Sequence, residues 1–279
     1  MNDNLALLWQ YLLPHHLLSR IVGWLAHCRW KWVKKTFIRY FIDYFQVDMQ
    51  LAKQPDPTQY PTFNDFFTRE LRPGIRPIAP GEDIITSPVD GKISQFGLVE
   101  NGRLIQAKGF DFSLVELLSE ESLAKPFQHG KFVTFYLAPK DYHRIHMPLT
   151  GKLEQMVYVP GQLFSVNDRS ARQIPRLFAR NERVIAFFDT NLGPMAMVLV
   201  GAMIVASIET TWAGLIAPSR KPGIQKWRYY GNEMMLQKGD EMGRFQLGST
   251  VITIFADPHI QWNQSVALSR QVILGQALV

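Results

Sequence analysis

The chain has 279 residues and a single cysteine, Cys28. One thiol excludes an intramolecular disulfide and any cysteine-rich zinc site, and it fits a reducing compartment. No block of five or more like charges occurs, and neither zinc-finger spacing nor an aromatic RNA-binding signature is present. Nucleic acid is therefore not the expected partner. Still, 30 Lys and Arg against 24 Asp and Glu give a net charge of +6, which favours something anionic. No apolar run reaches the roughly 18 residues that a spanning helix needs. Pro14, His15, His16 and Arg20 interrupt the run that ends at Leu13, and Asp3 replaces the basic start of a secretory signal. With 47% hydrophobic and 19% charged residues, nothing suggests disorder or a repeat array.

The N-terminal region is where the unusual composition lies. Trp9, Trp24, Trp30 and Trp32 are four of the seven tryptophans. Through residue 48 there are six Lys and Arg against three Asp, in a segment otherwise rich in Leu, Ile and Phe. Apolar residues with interspersed bases and Trp describe an amphipathic helix lying in the headgroup plane, where each base adds about 1 kcal/mol near an anionic leaflet. The competing reading is a helical hairpin with its tryptophans packed on the rest of the protein. One face can pack while another touches lipid, so both stay open.

Residues 53–62 form a proline-broken link, and 63–74 read as a short helix stopped by Pro73 and Gly74. Beyond Ile84 the pattern becomes short, β-branched apolar runs with turn punctuation: 131–137, 156–159, 184–188, 197–206 and 250–255. Residues 111–118 read as a helix with Ser113 near its cap. The expected fold class is α+β: a mainly β catalytic domain of mixed or antiparallel sheets over 53–279, preceded by an N-terminal amphipathic helical arm over 1–52.

Three segments carry chemistry. In PheGlnLeuGlySerThrValIle (245–252), glycine leaves the Gly248 carbonyl open, and the Ser249 hydroxyl can attack it at very high effective concentration. The resulting ester can eliminate across Ser249, and hydrolysis then leaves a pyruvoyl group on a fragment starting there. The bland reading is an ordinary turn before a strand. In TyrLeuAlaProLysAspTyrHisArgIleHisMetPro (136–148), His143 and His146 are candidate bases for the serine proton. Pro139 and Pro148 favour a turn that lets both rings approach one site; a pair of surface histidines or a zinc site is the alternative. In ThrSerProValAspGlyLysIle (86–93), Asp90 could orient a base histidine, although Asp-Gly between strands is also a hairpin signal.

Together these segments resemble the pyruvoyl-dependent phosphatidylserine decarboxylases in their bacterial form. So do PhePheThrArgGluLeuArgProGlyIleArgPro (66–77), ValProGlyGlnLeuPheSerValAsn (159–167), LeuPheAlaArgAsnGluArgVal (177–184), ValGlyAlaMetIleValAlaSerIleGluThr (200–210) and GlyAspGluMetGlyArgPheGlnLeuGlySerThrVal (239–251), in family order. The resemblance implies that Asp90, His146 and Ser249 form a self-cleavage triad. His143 would serve decarboxylation and protonation. Cleavage at Gly248–Ser249 would give a β chain (1–248) and an α chain (249–279), with Ser249 converted to the covalent pyruvoyl cofactor. A Schiff base with phosphatidylserine would then yield phosphatidylethanolamine and carbon dioxide. The resemblance further implies no metal, no pyridoxal phosphate, a dimer of such heterodimers, and a peripheral place on the cytoplasmic side of the cell membrane. Lys140 stands where arginine is the commoner family residue. Thr250 is a candidate donor to the tetrahedral oxygen.

Other readings are a serine hydrolase, a pyruvoyl decarboxylase of a soluble amino acid, and a non-enzymatic lipid-binding β domain. A biotinyl- or sugar-transport-type carrier domain is a fourth. The first lacks the second glycine of a nucleophile elbow, and the second does not explain the basic, Trp-rich arm. The carrier shows no modifiable lysine or phospho-accepting histidine motif.

Overall fold

Alternating and continuous apolar runs in the central and C-terminal sequence pair into one large antiparallel sheet, because strands buried on both faces need no polar alternation. The computed structural model describes residues 15–202, 207–219, 221–231, 234–246 and 249–279. The first 14 residues with Trp9, residues 203–206 of the apolar run, and Leu247 and Gly248 lie outside the described residues.

Strand order in the main sheet is Gln225–Arg228, Gly151–Val159, Arg183–Thr190, Gly193–Val200, Ser249–Phe255, Lys131–Leu137, Gly91–Leu98 and Gln271–Val272, with Met235–Leu236 also on Gly151–Val159. A second sheet orders Gly214–Ala217, Ile208–Thr210, Glu241–Phe245 and Arg144–His146. Pairing is antiparallel throughout both sheets, which bears out the mainly β α+β expectation. The helix read over 111–118 is shorter: Phe110–Ser113 is a strand, and Ser113 caps Leu114–Leu118 through a capping box with Glu116. The helix read over 63–74 covers only Phe63–Phe67, with Thr62 accepting the Asp65 N–H as its cap.

Two helices, His15–Ala26 and Lys31–Phe45, form the described part of the N-terminal region. Ile38 and Phe41 are buried, and the Phe41 ring meets Phe63, Phe66 and Phe67 edge-on at 5.1–5.9 Å. On the first helix, Leu17, Ile21, Trp24 and Leu25 are exposed at the spacing of one helical face, and Trp30, Trp32, Tyr40 and Tyr44 are exposed at and along the second. The arm packs through Ile38 and Phe41, but Trp24, Trp30 and Trp32 are exposed, so the reading that packs the tryptophans is corrected for these three. No described helix is long and apolar enough to cross a membrane.

Candidate active site

Ser249 opens the strand Ser249–Phe255, which lies between Lys131–Leu137 and Gly193–Val200. Its register partner is Leu137, the last residue of its strand, and Thr250 pairs with Tyr136 and Val200. Gly91–Leu98 runs antiparallel on the other side of Lys131–Leu137, so Asp90 precedes that strand at the same end of the sheet. Three neighbouring strands thus bring Asp90, the 138–143 turn and Ser249 to one edge. The Ser249 Oγ is buried and has no hydrogen-bond partner among the described residues, and neither has the Thr250 Oγ1.

Asp-Gly at 90–91 is not a hairpin turn, because Gly91 is the first residue of its strand. Glycine is required there for a different reason. A Cβ would lie 2.7 Å from the Tyr136 carbonyl oxygen, inside any real contact.

The two histidines have distinct surroundings. His143 is fully buried and ends the 138–143 turn; its carbonyl accepts the Phe245 N–H at 3.0 Å. Its Nδ1 lies 2.8 Å from the Asp141 carbonyl oxygen, which can only accept, so Nδ1 carries the proton and Nε2 presents its lone pair. That Nε2 is buried without a partner among the described residues, and the Phe67 ring covers the imidazole at 4.1 Å. Burial, with Arg69 nearby, pulls the His143 pKa down to about 3.

His146 lies in the strand Arg144–His146, paired with Glu241, and its N–H bonds the Pro88 carbonyl at 2.9 Å. The expectation of a turn between Pro139 and Pro148 that carries both histidines is therefore corrected. The turn ends at His143, and the second histidine belongs to a short strand of the other sheet. Its Nδ1 donates to the Gly239 carbonyl at 2.8 Å, and its Nε2 accepts from the Tyr142 hydroxyl at 3.2 Å. Gly239 adopts φ +88°, a conformation only glycine takes readily, and this aims its carbonyl at the ring. Burial lowers the His146 pKa and raises that of Tyr142.

Asp90 does not orient His146 here. Arg76 grips its carboxylate side-on, Nε to Oδ1 at 2.9 Å and Nη2 to Oδ2 at 2.7 Å, and the Leu274 N–H donates to Oδ1 at 2.8 Å. The fold thus collects Asp90, His143, His146 and Ser249 in one region, but no hydrogen-bonded chain joins Asp90 to His146 to Ser249. Tyr142, Gly239, Arg76 and Arg69 are site neighbours that the sequence did not single out, although all four fall within the motif segments. Among the described residues no third His, Cys, Asp or Glu joins the histidine pair to make a metal site. A cleft of about 250 Å³ borders the site, lined by Arg69, Arg76, Asp90, Lys140, Asp141 and Tyr142 among others.

The family model described as phosphatidylserine decarboxylase matches residues 63–279, and a second, described as PSD, matches residues 5–46. Among curated relatives, the phosphatidylserine decarboxylase proenzyme of Pseudomonas fluorescens is 53% identical over 282 aligned residues, covering 100% of this chain and 98% of the relative. The proenzyme of the same description from Psychromonas ingrahamii is 53% identical, covering 99% of this chain and 97% of its own. That from Azotobacter vinelandii is 52% identical, covering 100% and 98%.

Proposed function

Since the chain belongs to the phosphatidylserine decarboxylase family, we propose that it is a proenzyme that cuts itself before Ser249 and decarboxylates phosphatidylserine to phosphatidylethanolamine at a membrane surface. The observation that carries this reading is the buried, partnerless Ser249 Oγ at the start of a central strand, beside a turn bearing a buried histidine with an open lone pair. A buried serine hydroxyl with no hydrogen-bond partner among the described residues is free to attack its own preceding carbonyl.

Maturation begins with transfer of the Ser249 proton to a histidine as Oγ attacks the Gly248 carbonyl. The Gly248–Ser249 amide gives way to an ester on Oγ; loss of the Ser249 α-proton then expels the Gly248 carboxylate, and water hydrolyses the remaining dehydroalanine with release of ammonia, leaving residues 1–248 and 249–279 as two chains. The residues fit the pyruvoyl group that the family resemblance implies: it would replace a buried serine side chain at the same strand position, facing no carboxylate bonded to it. That group supplies an electron-accepting carbonyl. His146 is the family-derived base, with its ring set by Gly239. A second reading gives this role to His143, favoured by its unoccupied Nε2. In either case burial keeps the base neutral at physiological pH, as a general base must be.

The substrate is taken from a membrane. The exposed Leu17, Ile21, Trp24 and Leu25 stripe supports this, together with exposed Arg29, Lys31, Lys35 and Arg39. Anionic lipid on the cytoplasmic leaflet suits those bases and the lone cysteine suits that compartment. Pairing of two such two-chain units remains part of the proposal on family grounds.

Intact mass under denaturing conditions tests the reading. Two fragments split at 248/249, the smaller blocked at its N-terminus and reducible by borohydride, support it. A chain that stays whole while releasing carbon dioxide from phosphatidylserine overturns it. Ser249→Ala should stay uncut, and whichever of His143→Ala and His146→Ala stays uncut identifies the maturation base.

A further inference from the structure

Arg69 is 4% exposed, yet it has no carboxylate partner among the described residues. Among the described residues only its Nη2 finds an acceptor, the Lys140 carbonyl at 3.0 Å; Nε and Nη1 are buried with none. The Phe66 ring faces the guanidinium at 5.5 Å. Asp90 and Asp141 act on it through space, but no described carboxylate is in ion-pair contact with it. Burying a cation without a direct partner is unfavourable, which leaves room for an anion that arrives later.

Its neighbours sharpen the contrast. Arg69 is shared by the cleft of about 250 Å³ described above and a second of about 500 Å³. The other cations of the larger cleft are taken: Lys53 by Glu70, Arg144 by Glu241 and Arg244 by Glu209. In the smaller cleft Arg76 is taken by Asp90. Arg69 is the buried cation left over. It also touches the reacting region. The Lys140 carbonyl it holds belongs to the turn after Leu137, the partner of Ser249, and Phe67, two residues before it, covers His143.

Resting on the decarboxylase reading, we propose that Arg69 is a specificity residue that binds the phosphodiester of the lipid headgroup, entering by the smaller cleft. The headgroup carries two anions, and the chemistry chooses between them. The serine carboxylate must lose its charge as carbon dioxide departs, so a cation bound to it would stabilise the ground state more than the transition state. The phosphodiester keeps its charge throughout, and a cation there holds the substrate without opposing the reaction. Both open nitrogens are shielded from water, so the guanidinium turns toward the cleft as it takes the anion.

The test uses the matured wild-type chain with Arg69→Gln and Arg69→Lys, in mixed micelles of phosphatidylserine and a non-ionic detergent. Soluble glycerophosphoserine and glycerophosphoethanolamine serve as competitors. Arg69→Gln should raise KM and both inhibition constants at least about tenfold, the loss expected for one charge-assisted contact, and Arg69→Lys should recover part of it. An unchanged KM overturns the proposal. So does weakening confined to glycerophosphoserine, which assigns Arg69 to the carboxylate. If both variants are inactive, intact mass decides: cut chains with lost kcat place Arg69 in the chemistry, uncut chains place it in maturation or folding, and either result overturns the phosphodiester role. A wild-type chain that turns over no phosphatidylserine instead refutes the reading on which the proposal rests.

Discussion

Arg76 holds Asp90 in a side-on ion pair, with side chains only 13% and 12% exposed, and the backbone N–H of Leu274 completes the grip. The Leu274 bond crosses the proposed cleavage point, since Leu274 lies in the 249–279 segment and the ion pair in 1–248. Breaking a buried ion pair by removing one partner costs about 3–5 kcal/mol, because the other charge stays buried. Arg76→Ala in an uncut Ser249→Ala background should lower unfolding stability by that order in a urea titration. Asp90→Asn added to it should recover part of the loss. A stability change under about 1 kcal/mol would show that Asp90 is not anchored this way.

Tyr142 controls the basic nitrogen of His146. Its O–H donates to Nε2 and so favours the neutral ring, adding to the lowering by burial. A base with a depressed pKa stays unprotonated below the ordinary histidine value near 6.5, so maturation should persist into mildly acidic buffer if His146 is the base. Tyr142→Phe removes the donor and lets the His146 pKa rise. The acid limb of the self-cleavage rate, followed by intact mass, should then move to higher pH. A limb that stays in place would detach His146 from maturation and favour His143.

Cutting should not release the smaller chain. Ser249–Phe255 is hydrogen-bonded to strands on both sides, and Val251, Ile252, Ile254 and Phe255 are at most 1% exposed. Further along, the Leu278 N–H bonds the Ile85 carbonyl at 2.8 Å and the Ser87 N–H bonds that of Gln276 at 2.8 Å. The two fragments should co-elute in native gel filtration and separate only in denaturant. Separation in native buffer would contradict this packing.

The bare stripe on His15–Ala26 should bind lipid. Burying a large apolar side chain contributes roughly 1.5–3 kcal/mol. Trp24→Ser with Leu25→Ser should weaken binding to phosphatidylserine-containing vesicles by at least about tenfold, read by flotation, and leave self-cleavage untouched. Lys31→Gln with Lys35→Gln should weaken it chiefly at low salt. Equal vesicle binding by all variants would remove the arm from the membrane.

Much of the site could be located from local chemistry alone. LeuGlySerThr supplies an open carbonyl beside a hydroxyl, and the 136–148 segment supplies two histidines near it in kind if not in sequence. The β runs at 131–137 and 250–255 were legible because both faces of a central strand are apolar, and the structure has them at 131–137 and 249–255. The helix ends were less so. The short strand Phe110–Ser113 ends on the capping serine, since pairing with Arg103–Ala107 overrides local helix preference.

The sequence by itself determined the nucleophile, the candidate bases and the membrane-suited composition, because those depend on residue type and near spacing. Only the tertiary structure decided who touches whom: Asp90 with Arg76 rather than His146, Gly239 as the group that sets the His146 ring, and Arg69 with no described carboxylate in direct contact. Each of these contacts joins residues many positions apart, and such partners are chosen by which strands become neighbours, a consequence of burial summed over the whole chain.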